Sequence, residues 1–87
     1  MTSKELKELE GKRILFYGKD ENGLYCKFEG KVFVEETIAT TIKDGESKKV
    51  KRCVLILKDA IVNNYSYPYK ITFSPKKLKE IVNYKVL

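Results

Sequence analysis

Between Leu24 and Val34 apolar and polar side chains alternate, and they do so again where Tyr65, Tyr67, Tyr69, Ile71 and Phe73 interleave with Ser66, Pro68, Lys70, Thr72 and Ser74. A period of two marks extended backbone with one face buried, because successive side chains of a strand point to opposite faces. In a chain of 87 residues these strands must share one small core. A chain so short buries only roughly 60–65% of the surface its unfolded form exposes. The sequence therefore predicts a single, mainly β domain spanning residues 1–87 that gains from closing its sheet or from a partner subunit.

The punctuation between the runs supports this. Asp20-Glu21-Asn22-Gly23 and Asp44-Gly45 are turn sequences that join strands into hairpins, with Thr37 to Ile42 and Lys48 to Leu57 as β-prone arms of the second. Val54-Leu55-Ile56-Leu57 is apolar at every position, which predicts a strand that is central or sharply curved within a closed sheet. Gly30 in mid-strand predicts a bend or bulge. At the N-terminus Thr2-x-x-Glu5 has capping-box spacing, Leu6 and Leu9 share a helical face, and Gly11 supplies a stop. Near the C-terminus Ser74-Pro75 offers an N-cap followed by proline at the first helical position, with Leu78, Ile81 and Val82 at helical spacing. Tyr84 to Leu87 reads as a last edge strand. The expected architecture is a small, strongly bent antiparallel barrel with a short N-terminal helix and a helical turn near the C-terminus.

Several chemistries are expected to be absent. The chain has no His, the commonest general base and imidazole metal ligand. Cys26 and Cys53 stand 27 positions apart with no C-x-x-C pair, so neither zinc spacing nor an activated thiol is present. They remain either a candidate disulfide or two buried small hydrophobes. Gly18 and Gly23 have phosphate-loop spacing, but Leu24-Tyr25 follows where Lys-Ser/Thr is required. Glu35 and Glu36 would face opposite sides of a strand. We expect no catalysis, no metal and no cofactor. The longest apolar run has four residues and the N-terminus is charged, so the expected setting is cytoplasmic. With 16 Lys and nine Glu against two Arg and three Asp, usage resembles that of hyperthermophiles, although an AT-rich genome also favours Lys.

Charge is unevenly divided. Residues 1–47 carry eight basic and ten acidic side chains, whereas residues 48–87 carry ten basic and two acidic, a net charge of +8. Such a half suits a polyanion, since Lys and Arg release condensed counterions on meeting phosphate. The candidate nucleic-acid contacts are Lys48, Lys49, Lys51 and Arg52, expected to overhang one barrel end, and Lys76, Lys77 and Lys79 in the turn after Ser74-Pro75, where free backbone N–H groups also favour phosphate. The bland alternative is a solvated lysine surface. Of the tyrosines, Tyr65 is the candidate stacking platform, while Tyr67 and Tyr69 are expected to follow Ile71 and Phe73 into the core.

Two stretches, Gly11-Lys12-Arg13-Ile14-Leu15-Phe16-Tyr17 and Gly23 to Val32, resemble the opening of the Sm-like RNA-binding family: a short helix, a first strand, a turn Gly, and a second strand carrying another Gly before a bend. Leu55 to Ala60 is similar to that family's third-strand ending, and Ile71 to Ile81 has the apolar spacing of its second motif. The resemblance implies a small barrel, RNA in preference to DNA, and a homo-oligomer. The family's base-holding Asp and Asn have no counterpart after Val34, where the chain reads Glu35-Glu36-Thr37, and Ser74-Pro75 stands in place of Arg-Gly. Binding of low sequence specificity is therefore expected. The alternative is a protein-interaction or homo-oligomeric assembly module without nucleic acid, which an exposed edge at Pro68 would favour.

Overall fold

The computed structural model describes residues 1–87. Helix α1 (Ser3–Leu9) is followed by strands β1 (Arg13–Lys19), β2 (Tyr25–Lys43), β3 (Glu46–Val62), β4 (Tyr65–Tyr67) and β5 (Ile71–Phe73), helix α2 (Pro75–Glu80) and strand β6 (Tyr84–Val86). All pairings are antiparallel, in the order β4-β3-β2-β1-β6, with β5 also pairing β3. No ladder joins β6 to β4 or β5, so the hydrogen-bonded sheet keeps two free edges. No helix is long and apolar enough to cross a membrane.

Local chemistry accounts for the element ends. Thr2 and Glu5 close the capping box, and Gly11, at φ +82°, takes the left-handed conformation that stops α1. Asp44 and Gly45 both have positive φ, as do Asn63 and Asn64, and each pair forms the two-residue turn whose twist matches an antiparallel hairpin. The Asp20 carboxylate accepts from the Asn22 and Leu24 N–H groups at 2.9 Å and shapes the β1–β2 turn.

The core lies on one face of the sheet. Ile14 and Phe16 of β1, Cys26, Phe28 and Val32 of β2, and Cys53, Leu55 and Leu57 of β3 meet Leu6 and Leu9 of α1, Leu78 of α2 and Ile81 at its end. Phe16, Phe28 and Phe73 form a mutually contacting triad with ring centroids 5.2–5.5 Å apart. Val54 and Ile56 are buried too, but alternation places them on the other face, where Ile56 lies opposite Phe33. That explains the apolar run on both faces of β3, which is central as expected, flanked by β2 and β5.

Gly30 sits where the β2–β3 register shifts, and an added Cβ there would lie 3.2 Å from both Leu57 Cβ and the Lys58 carbonyl oxygen. The bulge is braced by Arg13, which donates to Glu29 at 2.9 Å and to the Asp59 carbonyl at 3.0 Å. At the opposite side of the core the Tyr84 hydroxyl donates to Glu5 at 2.8 Å. This bond, with that from the Thr2 backbone, holds the Glu5 carboxyl below its ordinary pKa and raises that of Tyr84.

Two expectations are corrected. The run from Tyr65 to Phe73 is two three-residue strands interrupted around Pro68, because proline cannot continue a ladder on its donor side. Tyr67 and Tyr69 are consequently exposed and pack edge-to-face on each other, centroids 5.9 Å apart, instead of entering the core. Of the two alternatives left open for the cysteines, the structure has the second: Cys26 and Cys53 are both buried free thiols, and Cys53 pairs with Glu36, ten positions along β2 from Cys26.

Candidate nucleic-acid interface

The hairpin expected around Asp44-Gly45, with Thr37 to Ile42 and Lys48 to Leu57 as its arms, is the distal part of one longer continuous hairpin. The β1 ladder covers β2 only as far as Lys31, and Val32 and Val34 donate their N–H groups to the Lys12 carbonyl and the Glu10 carboxylate at 2.9 Å. On β3, the last residue paired with β5 is Leu55. From Thr37↔Arg52 to Lys43↔Glu46 the two strands pair only with each other. Seven residues of extended chain reach about 24 Å. The molecule is correspondingly elongated, 47 Å along its longest axis against 28 and 23 Å along the others.

This two-stranded arm carries the first lysine cluster. Cross-strand partners share a face, so Lys49 and Lys51 lie with Thr40 and Ile38 on the continuation of the core face, while Lys48 and Arg52 lie with Thr41 and Thr37 on the other. Lys48, Lys49 and Lys51 are exposed and Arg52 is half-buried, its Nε without a hydrogen-bond partner. The core stripe runs out along the arm as Ile38 and Ile42, the latter 80% exposed. Lys43, at the end of β2, adds a fifth exposed cation that the sequence reading missed. The hairpin pairing that brings it opposite Glu46 and near Lys48 was its only signal.

The second cluster is separate in the fold. Lys76, Lys77 and Lys79 belong to α2, a six-residue helix following β5. Few backbone N–H groups are free there: Pro75 has none, and Lys77 N–H donates to the N-cap Ser74 Oγ at 3.3 Å. Lys76 and Lys79 are exposed, whereas Lys77 is half-buried at the mouth of a cleft that it shares with Lys19. Tyr65 is 78% exposed on β4, as expected of a stacking platform, but it belongs to neither lysine cluster by strand pairing.

The cleft comprises two adjoining hollows of about 260 and 300 Å³ between the β1–β2 turn and the β5–α2 segment. Lys19, Phe73 and Lys77 line both. Its rim also carries Asp20, Glu21 and Glu80, so its charge is mixed. No group of three or more His, Cys, Asp or Glu is placed to hold a metal ion.

Against known proteins, no family model matches the chain, and no curated protein or solved structure matches it.

Proposed function

We propose that this chain is a non-catalytic nucleic-acid-binding module of low sequence specificity, built as an Sm-like or related small barrel, working in the cytoplasm and engaging phosphate through its basic β arm. The arm carries this reading: Lys43, Lys48, Lys49, Lys51 and Arg52 project from a two-stranded ribbon that stands clear of the core. Two-stranded ribbons fit nucleic-acid grooves, and cations on both faces can reach phosphates on either side. Lysine makes point-charge contacts more readily than bidentate base contacts, which accounts for the proposed low specificity. Lys76, Lys79 and Tyr65 would extend the footprint. The order of helix, strand, turn glycine and Gly30-bearing bent strand supports the Sm-like assignment, and through it RNA in preference to DNA.

The test is a salt titration of binding to polyuridine, mixed RNA and duplex DNA. With about four phosphates engaged, log affinity should fall against log salt with a slope near −3 to −4. Changing Lys48, Lys49, Lys51 and Arg52 to Glu should abolish binding while the circular dichroism spectrum stays unchanged. No binding tighter than about 10 µM at low salt, where non-specific contact is strongest, would overturn the proposal.

Homo-oligomeric assembly is the second reading, favoured by the outer edges of β4 and β6, which pair with nothing, and by the exposed Ile38 and Ile42. Light scattering that gives the monomer mass across the micromolar range would exclude it.

A further inference from the structure

The parity of hydrogen bonding along β1 identifies a second unpaired edge inside the cleft. Val32 N–H donates to the Lys12 carbonyl, so even-numbered residues of β1 turn their backbone groups toward β2. Leu87 N–H donates to the Arg13 carbonyl, so odd-numbered ones turn toward β6. The β6 ladder ends at Phe16↔Tyr84, and β1 continues past it to Lys19. The Phe16↔Tyr84 pair sets the Asn83 carbonyl opposite the Tyr17 N–H, so beyond it the Tyr17 C=O and the N–H and C=O of Lys19 point out of the sheet with no strand beside them. No loop of the chain bonds them either.

The facing wall has the same property. Asn63 N–H donates to the Lys27 carbonyl, so odd-numbered residues of β2 face β3. After the one-residue shift at the bulge these meet even-numbered residues of β3, leaving Leu55 and Leu57 to bond Phe73 and Ile71 of β5. Thr72 then directs its backbone groups away from β3. Tyr17 lines one of the two hollows and Thr72 the other, and the phenylalanine triad contributes to the lining of both.

We propose that this cleft captures an extended peptide segment of another protein, added as a strand along the β1 edge, with apolar side chains at alternate positions seated on the aromatic floor. Strand addition satisfies exposed backbone groups through main-chain hydrogen bonds and leaves side-chain pockets to choose the sequence. The charges decide between ligand classes. Lys19 and Lys77 are answered by Asp20, Glu21 and Glu80, so a phosphate chain would pass three carboxylates, whereas a peptide of mixed charge is accommodated. Gly18 keeps the floor open, since even an added Cβ would meet only Phe16 and Phe28 ring atoms at ordinary contact distance, 3.6–3.8 Å.

The probe is a short acetylated and amidated peptide in which valine alternates with lysine and glutamate, titrated into the isotopically labelled full chain and followed by amide NMR. Binding should move the amide signals of Tyr17, Gly18, Lys19 and Thr72 and slow hydrogen exchange at the Lys19 N–H. A peptide of the same sequence with every amide N-methylated should not bind. Lys19→Pro removes a donor that neither the β2 nor the β6 ladder uses, so it should weaken binding by at least about tenfold without changing the circular dichroism spectrum. Should that variant fail to fold, the N-methylated peptide still decides the question. Three outcomes overturn the proposal: no shifts at millimolar peptide, shifts confined to β4 or β6, or equal binding of the N-methylated form. Shifts at the same amides with oligouridine but not with peptide would also overturn it and assign the cleft to nucleic acid. The arm variant with four Glu substitutions should bind the peptide normally, so failure here and failure of the proposed nucleic-acid role are distinguishable.

Discussion

Strands β2 and β3 each pass through two environments, and their sequences change character at the boundary. Below Val34 and beyond Cys53 their shared inner face is Cys26, Phe28, Val32, Leu55 and Leu57, all buried. In the arm the same face continues as Ile38, Thr40, Ile42, Lys49 and Lys51, all exposed. Backbone pairing is uninterrupted across this change, so the ladder sets how long the hairpin is and the side chains decide which part is core. The arm also shows how a free edge stays soluble. Lys49 and Lys51 occupy the outer edge strand where β5 no longer covers it, a placement that discourages pairing with another chain.

Substitutions can break this contrast. Leu55→Ala or Leu57→Ala should cost about 2–5 kcal/mol, because both side chains are fully buried and neighbours cannot collapse into the gap. Ile42→Ala, on the same face but in the arm, should change stability by no more than about 0.5 kcal/mol. Urea unfolding of the three variants measures both. Equal losses at Ile42 and Leu55 would mean that the arm is covered in solution.

A smaller effect is expected at the boundary. Gly30→Ala should cost about 1–3 kcal/mol, since its Cβ would press on Leu57 and on the Lys58 backbone, which cannot rotate away. The same denaturation experiment reads it, and an unchanged midpoint would show that the bulge can open.

The smallest effect depends on pH and belongs to the body alone. Glu5 has a folded pKa below its ordinary 4.5, so the stability its bond with Tyr84 contributes is present at neutral pH and is lost as pH falls through the lowered value. For Tyr84, whose pKa is raised above 10.0, the contribution is present below that pH and is lost as pH rises through the folded value. Glu5 is only half-buried and its bond is open to solvent screening, so the effect should be slight. Tyr84→Phe should lower the melting temperature modestly at pH 7, and the gap from the wild type should close in acid. A gap independent of pH would assign the loss to packing.

Much of the body was legible from residues with local, mechanical roles. Thr2 and Glu5, Asp44-Gly45, and Ser74-Pro75 each fix backbone geometry within a few positions, and each element boundary they announced is present. The arm was legible as a hairpin through Asp44-Gly45, but its departure from the core was not, because a ribbon solvated on both faces has no reason to alternate apolar with polar, and the pattern fades after Val34. The tyrosine run misled for the opposite reason. Two short strands either side of Pro68 keep the same alternation as one long strand, although only Ile71 and Phe73 reach toward the core. Four of the arm's five cations, Lys48, Lys49, Lys51 and Arg52, were identifiable from charge alone, and Lys43 was not. The cleft was not, since Lys19 and Lys77 are remote in sequence and its distinguishing groups are backbone N–H and C=O, which every residue type but proline carries in full.

The Asp44-Gly45 turn also bears on the order in which the chain folds. Val34 and Leu55 are partners across twenty intervening residues, a separation that would ordinarily tax the search for a first contact. Because those residues zip against each other from a turn already favourable in isolation, the effective loop shrinks to two residues, and hairpins of this kind form in about 1–10 µs. The arm thus works as a guide rail that delivers the two halves of the core in register before the distant strands β5 and β6 arrive. Shortening it symmetrically should leave the folding rate intact, whereas replacing Asp44-Gly45 with a flexible linker should slow folding more than it lowers stability.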